Sequence, residues 1–291
     1  MNQKLLLLLA TGCALGLNFP LGKLAGAAGI DPLVWALLIA SLPGSVLLLV
    51  NGVADRSAWN LRQLLPFAGV SGLLAYVIPN ALTFSAIPQI GSGLASLMFA
   101  LSPVTTATLS GLLGVRPPNR AMQAGIALGF LGALVIILSR NTISFPGDGR
   151  WLYIALVIPV SLALGNVHRT ACWPAGVAPL RLAAASNLCA APLLAGLTLA
   201  LRGHIDVQPM LDNLHLVAAQ IAVSLAMFAF FFRLQWVGGP TYLSQIGYVS
   251  AAVGLAAGTL LLGETYPWGV WAGAGLVVAG IVVATFWPVR A

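Results

Sequence analysis

Apolar residues run through this chain in long blocks separated by short polar intervals. Blocks long enough to cross a bilayer, roughly 17–25 residues each, cover 5–26, 33–51, 64–86, 91–113, 121–139, 151–168, 180–201, 214–232, 239–262 and 268–287. Read as helices, they predict an all-α integral membrane protein with ten transmembrane helices. The longest hydrophilic interval, Arg202–Asn213, leaves no room for a soluble domain. Glycine and proline inside the blocks do not argue against helix, because neighbouring helices re-satisfy freed backbone groups in a membrane.

A second pattern lies over the first. Gly91, Gly114, Gly125 and Gly132 recur as Gly238, Gly263, Gly273 and Gly280, at offsets of 147, 149, 148 and 148. Asp31-Pro32-Leu33 lines up with Ala178-Pro179-Leu180, and Ala14-Leu15-Gly16 with Ala163-Leu164-Gly165. The chain therefore divides into a first five-helix unit, 1–145, and a second, 146–291. Five is odd, so the second copy enters the membrane upside down. Inverted repeats of this kind build transporters whose substrate site lies near the midplane, between the halves, with alternating access.

Composition agrees. Hydrophobic residues make up 59% and charged residues 7%, with a mean hydropathy of +0.98. That charge content is far below the roughly 25% of a soluble domain, so the solvent is mostly lipid. The net charge of +7 comes from basic residues scattered singly between apolar runs. No basic patch favours nucleic acid. With the N-terminus inside, Lys4, Arg56, Arg62, Arg116, Arg120, Arg169, Arg181, Arg233 and Arg290 fall inside, and Lys23, Arg140, Arg150 and Arg202 outside. This bias predicts both termini in the cytoplasm. Lys4, the Leu5–Leu9 run and Ala10-Thr11-Gly12-Cys13 imitate a signal peptide, but the repeat alignment makes this segment the partner of span six. Cys13, Cys172 and Cys189 have no metal-type spacing and read as apolar fillers.

The string Leu262-Gly263-Glu264-Thr265, then Trp268 and Gly273-Ala274-Gly275-Leu276-Val277-Val278-Ala279-Gly280, resembles the end of an EamA-type permease repeat of the drug/metabolite transporter superfamily. Leu113-Gly114-Val115-Arg116 with Gly125 and Gly132 is similar, as is Gly16-Leu17-Asn18-Phe19 with Lys23. The resemblance covers the whole chain and extends to YddG-type exporters of aromatic and other amino acids. It implies inner-membrane efflux of small metabolites through a cavity lined by spans one, three, four, six, eight and nine. Val115 stands where the second half has Glu264, so Glu264 is not half of a symmetric pair.

Catalytic and nucleotide motifs are missing, so no enzyme activity, cofactor or ATP site is expected. Polar residues inside spans are the candidates, because lipid penalises them unless they face a cavity or a partner. Tyr76 and Asn80 share a helix face with Phe84; they suit an amide and aromatic wall, or interhelical hydrogen bonds. Asn18 precedes the helix-bending Pro20, and Met98 with Ser102 offers a soft wall and a hydroxyl. Gln245 is expected to face the cavity beside Tyr248 or Tyr242, with Phe228 and Trp236 adding aromatic surface. Lys23 is placed as an anion-facing gate, or as a snorkelling residue. Every carboxylate falls in a loop or at a span end, so any proton coupling is expected to work without a midplane acid. The partners expected are the bilayer and a small-molecule substrate, best amino acids. A drug or nucleotide-sugar carrier is the rival on the same fold, and a scaffold or enzyme the rival outside it. The Gly-xxx-Gly pairs suit helix packing within a monomer or the seam of a homodimer.

Overall fold

A computed structural model describes residues 3–54, 61–115, 119–139 and 147–286. Arg56, Arg116, Arg140 and Arg290 of the charge count, and the Tyr242 side chain, lie outside the described residues. The described residues form helices and connections without a strand. An apolar chain without water to bond its backbone has few other options.

Helix α1 (Gln3–Ala27) and α2 (Pro32–Ala54) are continuous. The third block is composite: α3 (Leu61–Gly72), a π turn at Leu73–Val77 and α4 (Ile78–Ile90). Pro79 cannot donate to the preceding turn, and the π turn absorbs that missing bond. Ser161 Oγ donates to the Leu74 carbonyl within it at 2.6 Å. The fourth block is α5 (Ser92–Met98), a 3-10 turn at Phe99–Leu101 and α6 (Ser102–Leu112), with Pro103 at the restart. Then follow α7 (Arg120–Leu138), α8 (Trp151–Ile154), α9 (Val157–Ala171) and α10 (Pro179–Arg202). A short α11 (Gln208–Asp212) fills the hydrophilic interval. Helix α12 (Leu214–Ser244) is interrupted at Gly239, and α13 (Ile246–Leu262) and α14 (Trp268–Phe286) complete the described chain. Seven of these segments are long and apolar enough to cross a membrane, and Gln123–Ile136, Ile246–Leu262 and Trp268–Gly280 are shorter apolar helices.

Backbone geometry repeats at the spacing of the glycines. Positive φ occurs at Gly29 and Gly176 (80° and 74°), at Gly91 and Gly239 (87° and 72°), and at Gly114 and Gly263 (67° and 65°). At the start of the fourth and ninth blocks the structural counterpart of Gly91 is thus Gly239, one residue beyond the Gly238 of the sequence alignment.

The closest crossing joins α7 and α14. A Cβ on Gly132 would meet the Gly273 carbonyl, one on Gly273 would meet the Gly132 carbonyl, and one on Gly280 would meet the Gly125 carbonyl. The other Gly-xxx-Gly pairs are also spent within the chain: Gly12 and Gly16 against Val249 and Val253, Gly254 against Ser96, and Gly258 against Glu264. Helix α10 packs on α2, α1 on α12 and α13, α13 on α5, and α9 on α6.

Gly132→Val is expected to lower the melting temperature in detergent by overpacking this crossing, a cost on the order of 1–3 kcal/mol. Gly275→Ala, beside open space, should melt like the wild type. Equal melting of both variants would show that α7 and α14 do not meet at Gly132.

Candidate functional site

A narrow cavity lies at the centre of the bundle. Its wall comes from Leu15 of α1; Ala75, Tyr76, Pro79 and Asn80 around the π turn; Phe99 and Ser102; Leu162 and Asn166 of α9; Met227, Phe228 and Phe231 of α12; and Ser244, Ile246 and Gly247. About 50 Å³ of it admits the centre of a water-sized sphere, room for a few waters. Apolar surface dominates. Tyr76 meets Phe228 edge to face, with centroids 5.3 Å apart. Its buried hydroxyl has no hydrogen-bond partner among the described residues. The Asn80 amide, half-buried in the same wall, makes no side-chain hydrogen bond among the described residues either. Both owe their position to the π turn, which shifts the helix face between them.

Four of the ten sequence candidates therefore meet at this wall: Tyr76, Asn80, Ser102 and Phe228. The others lie elsewhere. Asn18 is tied to the Ala14 and Leu15 carbonyls, and accepts from Gln220 of α12. Phe84 packs over Gly22 of α1. Met98 is buried behind Phe99 in the core. Gln245 is fully buried between the wall residues Ser244 and Ile246 but is not itself part of the wall. Tyr248 points its hydroxyl at Gly129 of α7. Trp236 lines a second pocket of about 180 Å³ with Thr170, Trp173, Gln235 and Gly239.

A buried polar layer separates the two pockets. Arg169 Nη2 donates to Asn166 Oδ1 at 2.6 Å, and Gln235 Nε2 donates to Thr170 Oγ1 at 2.6 Å. Asn166 Nδ2 reaches Thr106 Oγ1 at 3.3 Å. Arg169, counted from sequence among the cytoplasmic surface charges, is 0% exposed. The cause is local: α9 continues to Ala171, past the expected end at 168, and keeps Arg169 on the inward face three residues after Asn166. The i, i+3 spacing of Asn166 and Arg169 was the available signal.

At the opposite end, the Glu264 carboxylate gathers five donors. Lys23 Nζ, Ser92 N and Ser92 Oγ each lie 2.8 Å from Oε1, Gly93 N lies 3.0 Å from Oε2, and the Tyr266 hydroxyl donates to Oε2. The N-terminus of α5, opened by the positive φ of Gly91, supplies the two amides. Burial by itself would raise the Glu264 carboxyl, but the Lys23 ammonium, the Tyr266 hydroxyl and the Gly93 and Ser92 amides outweigh it and hold it at about 2. Burial first, then donation to that carboxylate, raises the Tyr266 phenol. In this conformation Lys23 is engaged by Glu264 and not open to a solute. Arg202 and Asp31 pair at 2.8 Å nearby in the predicted topology, on the same expected face.

A bundle of apolar helices around a partly polar central cavity is compatible with a membrane transporter of small molecules. The model of the EamA-like transporter family matches residues 3–138, just under half of the chain. The chain is 29% identical over 230 residues to the "Uncharacterized inner membrane transporter YedA" of Escherichia coli K12, covering 77% of this chain and 72% of that one. The YedA proteins of Escherichia coli O6:H1 and O157:H7 match equally. A solved crystal structure superposes with a TM-score of 0.67 over 97% of this chain and 99% of its own, at 18% identity, and so shares the fold.

Because the folded Glu264 carboxyl lies below its ordinary value of 4.5, the stability it confers is complete above that pH and is lost as pH falls through about 2. Glu264→Gln should cost about 1–3 kcal/mol, discounted because Lys23 is partly exposed. The melting gap between wild type and variant in detergent should be constant around neutral pH and narrow progressively below about 4.5. A gap that widens on acidification would contradict the latch.

Proposed function

We propose that the protein is an inner-membrane carrier of small metabolites, with amino acids the best-fitting class, working by alternating access through the central cavity. The observation that carries this reading is the pair Tyr76 and Asn80, whose side chains make no hydrogen bond among the described residues, on a mostly apolar wall drawn from both halves. Lipid and protein both penalise such groups unless something passing through satisfies them. An aromatic wall of Tyr76, Phe99, Phe228 and Phe231 suits an apolar side chain, and the amide suits a polar head.

Ten spans in two inverted five-helix repeats, 1–145 and 146–291, form the frame of this proposal. The paired positive-φ glycines support it. So do the reciprocal contacts Gly132 to Gly273 and Gly280 to Gly125, which are what a two-fold axis between α7 and α14 produces. Helix α2 on α10 and α5 on α13 repeat the logic, each block packing on its own counterpart. Both termini are then cytoplasmic. The Glu264 latch closes the outer end, and the second pocket opens from the inner one. The Glu264 carboxylate is a gate component in this scheme, and no acid in the cavity wall is needed for coupling.

Asn80→Ala and Tyr76→Phe are each expected to reduce the uptake of a radiolabelled amino-acid panel into proteoliposomes about tenfold, with unchanged melting in detergent. Full uptake in both variants would remove this cavity from the path.

A further inference from the structure

The polar layer beneath the cavity carries one positive charge that no carboxylate among the described residues answers. Arg169 is fully buried, and its Nη1 has no hydrogen-bond partner among the described residues. Its Nε meets Gln235 Oε1 only at 3.5 Å. The guanidinium carbon lies 4.9 Å from the Phe231 ring centroid and 5.9 Å from that of Phe232. The ion pairs between described residues are Lys23–Glu264, Arg150–Asp148 and Arg202–Asp31, so Arg169 has no carboxylate partner among the described residues. Amides and aromatic faces offset only part of the desolvation of a buried cation. A group held at that cost inside a membrane bundle marks a substrate or ion path by default.

Position gives the charge its meaning. Asn166, which accepts from Arg169, lines the central cavity, and Gln235, which faces Nε, lines the second pocket. Phe231, beneath the guanidinium, belongs to the cavity wall. Arg169 thus meets lining residues of both pockets. Tyr76, whose hydroxyl has no partner among the described residues, lines the same cavity as Asn166 and Phe231.

We propose that Arg169 receives the anionic group of the transported solute, and that this group is a carboxylate. The proposal rests on the reading of the central cavity as the transport path. A guanidinium with one free nitrogen, helped by one phenol, matches a single negative charge. A phosphate or diphosphate would call for further cations beside it; Lys23 is held by Glu264 at the opposite end, and the buried Arg181 of α10 lines neither pocket. The carboxylate would replace the long Gln235 contact and bridge Nη1 and the Tyr76 hydroxyl as it moves from one pocket to the other.

The test is counterflow in proteoliposomes with matched pairs of probes: L-phenylalanine against its amide and phenethylamine, and L-leucine against isoamylamine. Wild type should carry the carboxylates and reject the carboxylate-free partners. Arg169→Gln should lose about tenfold or more of that flux, and Arg169→Lys should retain part of it. Asn166→Asp places an internal carboxylate beside the guanidinium; it should melt at or above the wild-type temperature and yet lose carboxylate transport, a combination that misfolding cannot produce. Equal transport of carboxylates and their partners, or undiminished flux in Arg169→Gln, overturns the proposal and leaves the transport path standing. Carboxylate flux retained in Asn166→Asp overturns it as well. Absence of flux for every probe, with no probe raising the wild-type melting temperature, overturns both the anion receptor and the amino-acid reading beneath it.

Discussion

Lipid cannot hydrogen-bond a polypeptide, and every feature of this molecule follows from how that constraint is met or locally suspended. Along most of the chain it is met by uninterrupted helix. It is suspended at the π turn before Pro79, at the 3-10 turn over Phe99–Leu101, and at the positive-φ breaks of Gly91 and Gly239. The first two interruptions border the central cavity, while Gly91 opens the helix whose amides hold Glu264 and Gly239 lines the second pocket. Irregular backbone in a membrane is tolerable where protein or an aqueous space surrounds it. The irregularities therefore mark where a solute could be held.

Charge obeys the same rule at higher stakes. Glu264 is almost enclosed, and five donors from four residues neutralise it. Arg169 is wholly enclosed and lacks any such set. The two ends of the bundle are thus electrostatically unlike: one is closed by a satisfied carboxylate, the other floored by an unsatisfied cation. That asymmetry matters to the choice of cargo. Sequence analysis placed Lys23 alone as an anion-facing group, whereas the structure also buries Arg169 and Arg181. Lys23 and Arg169 lie at opposite ends, and Arg181 lines neither pocket, so the three do not form a paired receptor for a diphosphate.

The helical blocks were legible because hydropathy alone defines them, and the recurring glycine spacing because glycine is favoured wherever φ is positive or helices touch through their backbones. The Gly125, Gly132, Gly273 and Gly280 spacing pointed to helix packing, within the chain or at a homodimer seam, and the structure spends it on the α7–α14 crossing. Tyr76, Asn80, Ser102 and Phe228 were legible as polar or aromatic groups on faces that had to be covered. Asn18, Gln245 and Tyr248 looked the same in sequence, but α12 and α7 bury Asn18 and Tyr248 against Gln220 and Gly129, and Gln245 lies off the wall. Which neighbour covers a polar face is a tertiary fact that periodicity does not carry. Arg169 was misplaced for a simpler reason: a helix read three residues too short puts an inward guanidinium into the headgroups.

The central claim is that one cavity opens alternately to the two sides of the membrane. Its most direct measurement is the rate at which a membrane-impermeant maleimide modifies Ser102→Cys from each side of oriented vesicles, with Cys13, Cys172 and Cys189 replaced by alanine. The account predicts modification from both sides, and predicts that Glu264→Gln raises the outer rate while lowering the inner one. A cysteine reached from one side only, with a rate indifferent to Glu264, would contradict it.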